Sequence, residues 1–486
     1  MAILLTNIDA LYPCDGKSRV LHRAHIVVDR GHVAALGQGD LSGTFEETID
    51  LSGHLVTPGL VNSHHHFFQS LTRAIPAAQR GHLLTWLLRL YPIWSRMTPD
   101  DLAAATEAAV AELLLSGVTT TSDHLYLVPR AEPDYVEAEI AAALGLGIRL
   151  NLVRGSLTAL EADLEERLTA MLGPGAGGLI DDQVRVCAEM ARVLRTHHRP
   201  GPDSRLTVAL GPTTTTYQSL DYMRAVARLA REHDCGLHTH FHPRSDERAV
   251  TAQMFGKAPV DVLDSIGWLR PGTWIAHGTR LDAYDMARLA ERGVALAHCP
   301  RMIMRLGARL LPLHEVRAAG IRVGIGVDGA ASNDSGSMVS ELRIAALLHR
   351  LAGGEGDIAH DDWMTPMDVL DMATRESAAV IGRPDLGRLE IGGPADIAAF
   401  DLRSVGYAGA RTDPLSGFVL AGSDSRAALT MVAGRILVRQ GTLVGTDEYG
   451  IRDKLDKATD RLIGEVSSIT GWDYTSFESQ NGKRPS

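Results

Sequence analysis

The sequence predicts an α/β protein, a (β/α)8 barrel of the TIM type with a small composite β-sandwich domain built from both chain ends. Three observations lead there. From Leu55 to about residue 380, apolar strand-like runs alternate with amphipathic helical stretches, the pattern of a parallel sheet closed into a barrel. Short β-like runs punctuated by turns occupy both ends of the chain. The 486 residues, 45% hydrophobic, are too many for one ordinary domain and enough for a large core plus an accessory unit.

At the start, Ile3-Leu5, His25-Asp29 and Val33-Gly37 read as strands, with Arg30-Gly31 as a turn. The barrel pattern follows, for example an Ala-rich helix over 101–115 before the strand Val118-Thr119-Thr120-Thr121. After Arg383 short strands return at Ala395-Asp401, Ala427-Val432 and Arg435-Val438, the last two joined by the turn Ala433-Gly434. The expected organisation is a β-sandwich from 1–57 and 384–448, a catalytic barrel from 58–383, and a C-terminal helix and polar tail from 449–486. The last stretch of that tail, from Ser476, is expected to be disordered.

Forty-eight basic against fifty-nine acidic residues give a net charge of -11, which argues against a nucleic-acid partner. Cys14, Cys187, Cys235 and Cys299 are widely spaced with no CxxC pair, so reduced thiols are expected. The N-terminus has no signal-peptide pattern, and no apolar run approaches the roughly 18 residues of a membrane span. These features favour a cytoplasmic protein acting on a small molecule, without a membrane partner. Large barrels also commonly assemble as homo-oligomers, and a dimer or larger is expected.

Chemistry-bearing residues gather at strand ends. His64-His65-His66 follows Leu60-Val61, where alternation puts His64 and His66 on one side and His65 on the other. His238-Thr239-His240 ends another strand, and one of its two imidazoles is expected to be a ligand. His277 and His298 end two more, and Asp328 tips the run Gly324-Ile325-Gly326-Val327 beside Gly329. Singly each is weak; in order around a barrel they point to a divalent cation.

This set resembles the amidohydrolase superfamily, in the branch of cytosine and guanine deaminases and triazine (atrazine) hydrolases. The run Pro58-Gly59-Leu60-Val61-Asn62-Ser63-His64-His65-His66 is similar to the family's PGLINTHxH, Val327-Asp328-Gly329-Ala330-Ala331-Ser332-Asn333-Asp334 to its VDGxASND, and Gly393-Pro394-Ala395-Asp396-Ile397 to its GxxADI strand. The resemblance implies His64, His66, His240 and Asp328 as metal ligands, Asp328 also as general base, and His277 as the group that orients water or substrate. Zinc is the expected ion, with iron(II) or manganese(II) as alternatives. Water is the co-substrate, activated by the cation.

The runs around Gln69, Trp94 and Arg154 look most like those of 8-oxoguanine deaminase-like proteins, which implies these three as substrate contacts. An amide reads a lactam edge, an indole stacks, and a guanidinium holds a carbonyl. Deaminases of this branch carry glutamate three residues after the third histidine, where this chain has Pro243. His242, or Asp246 and Glu247 downstream, stands in as candidate acid. The leading expectation is deamination of an oxopurine, pyrimidine or s-triazine. Hydrolysis of a cyclic amide or of a chloro or alkylamino substituent, and a non-catalytic ligand-binding relative, are the alternatives.

Overall fold

The structure is a computed structural model that describes residues 2–132, 134–241, 244–351, 362–422 and 426–477. Among the described residues eighteen strands, β1 to β18, follow one another in chain order. Eight form the barrel: β7 (Leu60–Asn62), β8 (Val118–Leu125), β9 (Arg149–Ser156), β10 (Leu206–Pro212), β11 (Leu237–Phe241), β12 (Thr273–His277), β13 (Ala295–His298) and β14 (Val323–Ile325). Their spatial order is their chain order, and all neighbours are parallel. Closure between the first and last strands uses the bond from Ser63 N–H to Ile325 O, 2.9 Å, and that from Asp328 N–H to His64 O, 3.1 Å. The Asn62 side chain adds a third link by accepting from Val327 N–H at 2.9 Å. These bonds bring the first histidine pair beside the last aspartate.

Two smaller sheets pack face to face below the barrel. One runs β4 (His32–Gln38), β3 (Ala24–Asp29), β1 (Ala2–Ile8), β5 (Glu47–Asp50). The other runs β18 (Thr442–Leu443), β17 (Arg435–Arg439), β16 (Leu429–Val432), β15 (Ile397–Asp401), β6 (His54–Pro58), β2 (Ala10–Leu11). Chain halves meet where β15 pairs antiparallel with β6, Ile397 opposite Pro58. Leu5, Ile26, Val28, Val56, Ile397 and Met431 fill the space between the sheets. Strand alternation dictates this: each sheet offers one apolar face and the two faces cover each other.

Asp396 explains its place in the ADI run. It takes two bonds from Arg149 at the base of β9, Nε to Oδ2 at 2.7 Å and Nη2 to Oδ1 at 3.1 Å, with both side chains buried. The pair joins the β-domain to the bottom of the barrel, the end away from the site. The C-terminal helix Glu448–Thr470 buries Leu462 and Val466, and Thr459 donates to Leu71 O at 3.1 Å. It therefore backs the segment Phe67–Thr72 that follows the first histidines. The tail from 478 onward, expected to be disordered, lies outside the described residues. Among the described residues, no helix is long and apolar enough to cross a membrane.

Candidate metal centre and active site

Histidines gather at the C-terminal ends of β7, β8, β11 and β12, and the hydrogen bonds of their outer nitrogens decide what the inner ones can do. A carbonyl oxygen only accepts, so any ring nitrogen facing one carries the proton. His66 Nδ1 faces His124 O at 2.9 Å, and His240 Nδ1 faces Thr213 O at 2.6 Å. Each Nε2 is therefore a bare lone pair. His64 is reached through a relay: His238 Nδ1 donates to Trp274 O at 3.0 Å, so its Nε2 accepts from His64 Nδ1 at 2.8 Å. That again leaves a lone pair on Nε2 of His64, a buried atom with no hydrogen-bond partner.

These lone pairs converge. His66 Nε2 and His240 Nε2 are 3.1 Å apart, too close for two nitrogens without a proton between them unless a cation sits nearby. Oδ1 of Asp328 lies 3.7 Å from Nε2 of His64 and 3.5 Å from Nε2 of His66. Three neutral nitrogens and a carboxylate oxygen are a fitting donor set for a divalent cation, with spacing that metal bonds of about 2.0–2.2 Å can span. Burial supports the neutral rings. It pushes His64 and His66 well below the usual histidine range, helped by neighbouring imidazoles, and His240 down to about 4.

Burial also pushes the Asp328 carboxyl up to about 7, against hydrogen bonds from Gly329 N–H and Ser332. His277 stacks on His240 with centroids 5.3 Å apart, and its buried Nδ1 has no hydrogen-bond partner. Both residues hold left-handed backbone, φ 77° at His277 and φ 60° at Asp328. Non-glycine residues rarely adopt this conformation, and here it turns two side chains at strand tips into the same space.

Above the metal centre opens a cavity of about 590 Å³, lined by His66, Gln69, Tyr126, His240, His277 and Asp328 and then by a wall of leucines, Trp86 and Met302. Gln69 lines this cavity, and its side chain fills the space over Gly329, where a Cβ would lie 2.1 Å from the Gln69 amide carbon. Two expected substrate contacts are placed elsewhere. Arg154 faces outward from β9, fully buried, with Nη2 2.5 Å from Glu189 Oε2 on the helix Gln183–His197. Its guanidinium is a strand-to-helix ion pair, so the expected carbonyl contact is corrected on the ground of direction. Trp94 is likewise corrected to a packing role: it is enclosed behind Phe68 and Trp86, and its indole N–H donates to Thr72 Oγ1 at 3.0 Å. Trp86 is the tryptophan that reaches the cavity.

The candidate acid His242, and Pro243 beside it, lie outside the described residues. Of the other carboxylates considered, Asp246 is held by Arg244 at 2.9 Å from Nε, while Glu247 is buried in the cavity wall and accepts from Thr216 Oγ1 at 3.0 Å. His65 points away, as alternation requires, and its Nδ1 accepts from His66 N–H at 2.7 Å. His298 turns outward to His349, nitrogens 2.9 Å apart. Sequence reasoning missed His124, which lies one residue before the end of β8, and missed that His238 serves His64.

A barrel with imidazoles on its first and fifth strands and a carboxylate after its eighth defines a class, the metal-dependent hydrolases in which a cation activates water. The chain's sequence gives the family. Residues 55–437 match the model of the amidohydrolase family. An 8-oxoguanine deaminase from Pseudomonas aeruginosa is 40% identical over 445 residues, 90% of this chain and 94% of that protein. A hydroxydechloroatrazine ethylaminohydrolase from Pseudomonas sp. strain ADP is 33% identical over 478 residues, 95% of each. The crystal structure of atrazine chlorohydrolase from Arthrobacter aurescens TC1, complexed with zinc, superposes with a TM-score of 0.87 at 32% identity, covering 94% of this chain and 100% of that one. The chain belongs to the amidohydrolase family and is a metal-dependent hydrolase of carbon–nitrogen bonds other than peptide bonds.

Proposed function

We propose that this hydrolase is an aminohydrolase of an oxopurine, pyrimidine or s-triazine ring, with zinc as its cation. The observation that carries the reading is the convergence of the His64, His66 and His240 Nε2 lone pairs on Asp328 Oδ1, with His277 beside them at the floor of a ligand-sized cavity. When bound there, a divalent cation supplies Lewis acidity and a water acidic enough to ionise near neutrality. The relatives' names, an 8-oxoguanine deaminase and an ethylaminohydrolase, support a ring carbon bearing nitrogen as the point of attack. The zinc in the atrazine chlorohydrolase crystal supports the ion.

The chain's own residues divide the work. Asp328 takes the proton of the attacking water and passes it to the leaving amine. His277 presents a ring nitrogen to the oxygen that adds to the ring. Gln69 places its amide against a lactam edge, while Trp86 and the leucine wall exclude water from the bound ring. Glu247, with Thr216 bonded to it, takes the ring-nitrogen acid role that Pro243 cannot fill. A cytoplasmic homo-oligomer is the proposed setting, and four cysteines without disulfides support the compartment.

Ammonia release by zinc-loaded protein, measured across a panel of aminated oxopurines, pyrimidines and triazines, tests the reading. Release from at least one ring is expected. No ammonia from any of them, together with turnover of chlorinated rings or of cyclic amides tested beside them, would transfer the assignment to hydrolysis of another substituent or of a cyclic amide. Glu247→Gln should slow poor leaving groups more than good ones, and equal losses across a leaving-group series would remove Glu247 from the acid role.

A further inference from the structure

Glu341, on the helix Met338–Leu348, is fully buried and has no part in the chemistry described so far. Its two oxygens take one bond each. Oε1 accepts from Asn333 Nδ2 at 2.8 Å, and Oε2 accepts from Arg301 N–H at 3.2 Å, with Arg301 Nε 3.7 Å from Oε1. One carboxyl thus joins the segment after β13, where Arg301 lies in the helix Pro300–Arg305, to the segment after β14, which carries Asp328. Burial pushes the Glu341 carboxyl up to about 8, against the Arg301 charge and these hydrogen bonds. A buried acid is costly, and an apolar side chain on the same helix face would avoid the cost. Packing alone does not account for the residue.

Asn333 carries the contact toward the metal centre. Its Nδ2 has two hydrogens, one given to Glu341 Oε1 and the other to the Val327 carbonyl, while its buried Oδ1 has no partner among the described residues. The Val327 carbonyl and the Asp328 N–H belong to one planar peptide unit. The N–H side of that unit donates to His64 O at 3.1 Å. The peptide is gripped at both sides, and its rotation sets the left-handed φ of 60° from which the Asp328 side chain departs. Such a backbone persists only where its surroundings over-determine it. Removing Glu341 leaves Asn333 with a single bond and a buried unpaired donor, which loosens the hold on the Val327 carbonyl.

We propose that Glu341 is a positioning residue for Asp328: by fixing the Asn333 amide it holds the Val327–Asp328 peptide, and with it the direction of the carboxylate that faces the cation. This rests on the reading of Asp328 as a metal ligand.

Zinc affinity of the full-length protein, read by competition with a chromophoric chelator, tests this without a substrate, and circular dichroism confirms the fold of each variant. Glu341→Leu should weaken zinc about tenfold or more, the scale on which partners of a ligand act. Asn333→Ala cuts the same link from its other end and should weaken zinc to a similar extent, with the double variant no worse than either single one. Glu341→Gln, whose amide oxygen can still accept from Asn333, should keep part of the affinity. In an Asp328→Ala background, Glu341→Leu should cost no further affinity, because no carboxylate remains to be aimed. A residue that only packs would loosen the site by the same factor in both backgrounds, and that result overturns the proposal. Zinc bound as tightly as by the parent in folded Glu341→Leu or Asn333→Ala protein overturns it too, and leaves the metal site standing. An Asp328→Ala protein with the parent's zinc affinity overturns the ligand reading of Asp328 and this proposal with it.

Discussion

Replacing His238 by phenylalanine tests the tautomer relay with little change in shape. The stack on Trp274, centroids 4.6 Å apart and planes at 21°, is retained by an aromatic of similar size. What disappears is the Nε2 acceptor 2.8 Å from His64 Nδ1. The His64 N–H is then a buried donor without a partner, at a cost of about 1–3 kcal/mol. The ring escapes that cost by flipping or switching tautomer, and either change removes Nε2 from the cation. Spent against metal binding, the same energy corresponds to roughly a 5- to 150-fold loss of affinity, in line with the ~10–100-fold typical of residues that orient a ligand histidine. The assay is zinc competition with a chromophoric chelator at neutral pH, with circular dichroism to confirm the fold. His238→Gln, whose amide oxygen can accept the same proton, should recover part of the loss. A His238→Phe protein that binds zinc as tightly as the parent would refute the relay, because it would mean that His64 keeps its orientation without an acceptor.

Four further outcomes follow from the same geometry. Asp328→Asn should lower turnover at least about 100-fold, the scale of general-base catalysis, with an unchanged circular dichroism spectrum; an active variant would end the base assignment. With burial placing the Asp328 carboxyl at about 7, kcat/KM should fall as pH drops through that carboxyl's titration, and a bound cation should move the fall to lower pH; a rate that rises on acidification contradicts it. Buried neutral histidines make the fold acid-labile. His65 is pushed down to about 3, and His240 and His349 to about 4. Between their unfolded value near 6.5 and those values the unfolded chain binds protons that the native one does not, so stability falls with falling pH by about 1.4 kcal/mol per unit for each. Urea midpoints flat from pH 7 to pH 5 would contradict this. Glu189→Ala should destabilise the fold by up to about 3–5 kcal/mol, since it removes the carboxylate bonded to the buried Arg154 and leaves that charge only the Gly155 carbonyl and the nearby Asp181, yet leave KM unchanged. A raised KM with normal stability would return Arg154 to the substrate.

How much of this was legible in the sequence depended on parity and depth. Strand alternation is local, so His64, His66, His240, His277 and Asp328 could be read as strand-tip residues, and the structure brings all five to one place. The same rule, carried into β9, would have turned Arg154 outward: Val153 and Gly155 face the barrel interior and the residue between them cannot. It would likewise have set His298 aside, since Ala297 faces in. His238 and His240 share a parity, and only their depth along β11 separates the supporting ring from the ligand. Depth depends on barrel tilt and on neighbouring strands, which no local pattern contains. Trp94 failed for a related reason, because a helix register does not say which neighbour covers which face. The composite β-domain was visible as strand-like runs at both ends, but the Arg149–Asp396 pair that joins it to the barrel spans 247 positions and has no local signature.

The two halves of the chemistry are built from different materials. On the metal side every imidazole is aimed by a backbone carbonyl, or by a histidine that a carbonyl aims, and those carbonyls belong to barrel strands or to the turns at their ends. Rigid strands therefore set the ligand geometry, and the strained backbones of His277 and Asp328 are held by bonds to neighbouring strand ends, Gly278 N–H to Phe241 O and Asp328 N–H to His64 O. On the proton-donating side, Arg244, Asp246 and Glu247 follow the end of β11 in a loop and the first turn of the next helix, and Thr216 reaches Glu247 from the loop after β10. Loops change residue and length without disturbing a strand ladder. Pro243, where the family resemblance implies glutamate, belongs in sequence to that segment, in which another residue can supply an acid without moving a ligand. The metal chemistry is thus constrained by the fold itself, while the choice of ring and leaving group is carried by segments the fold leaves free to vary.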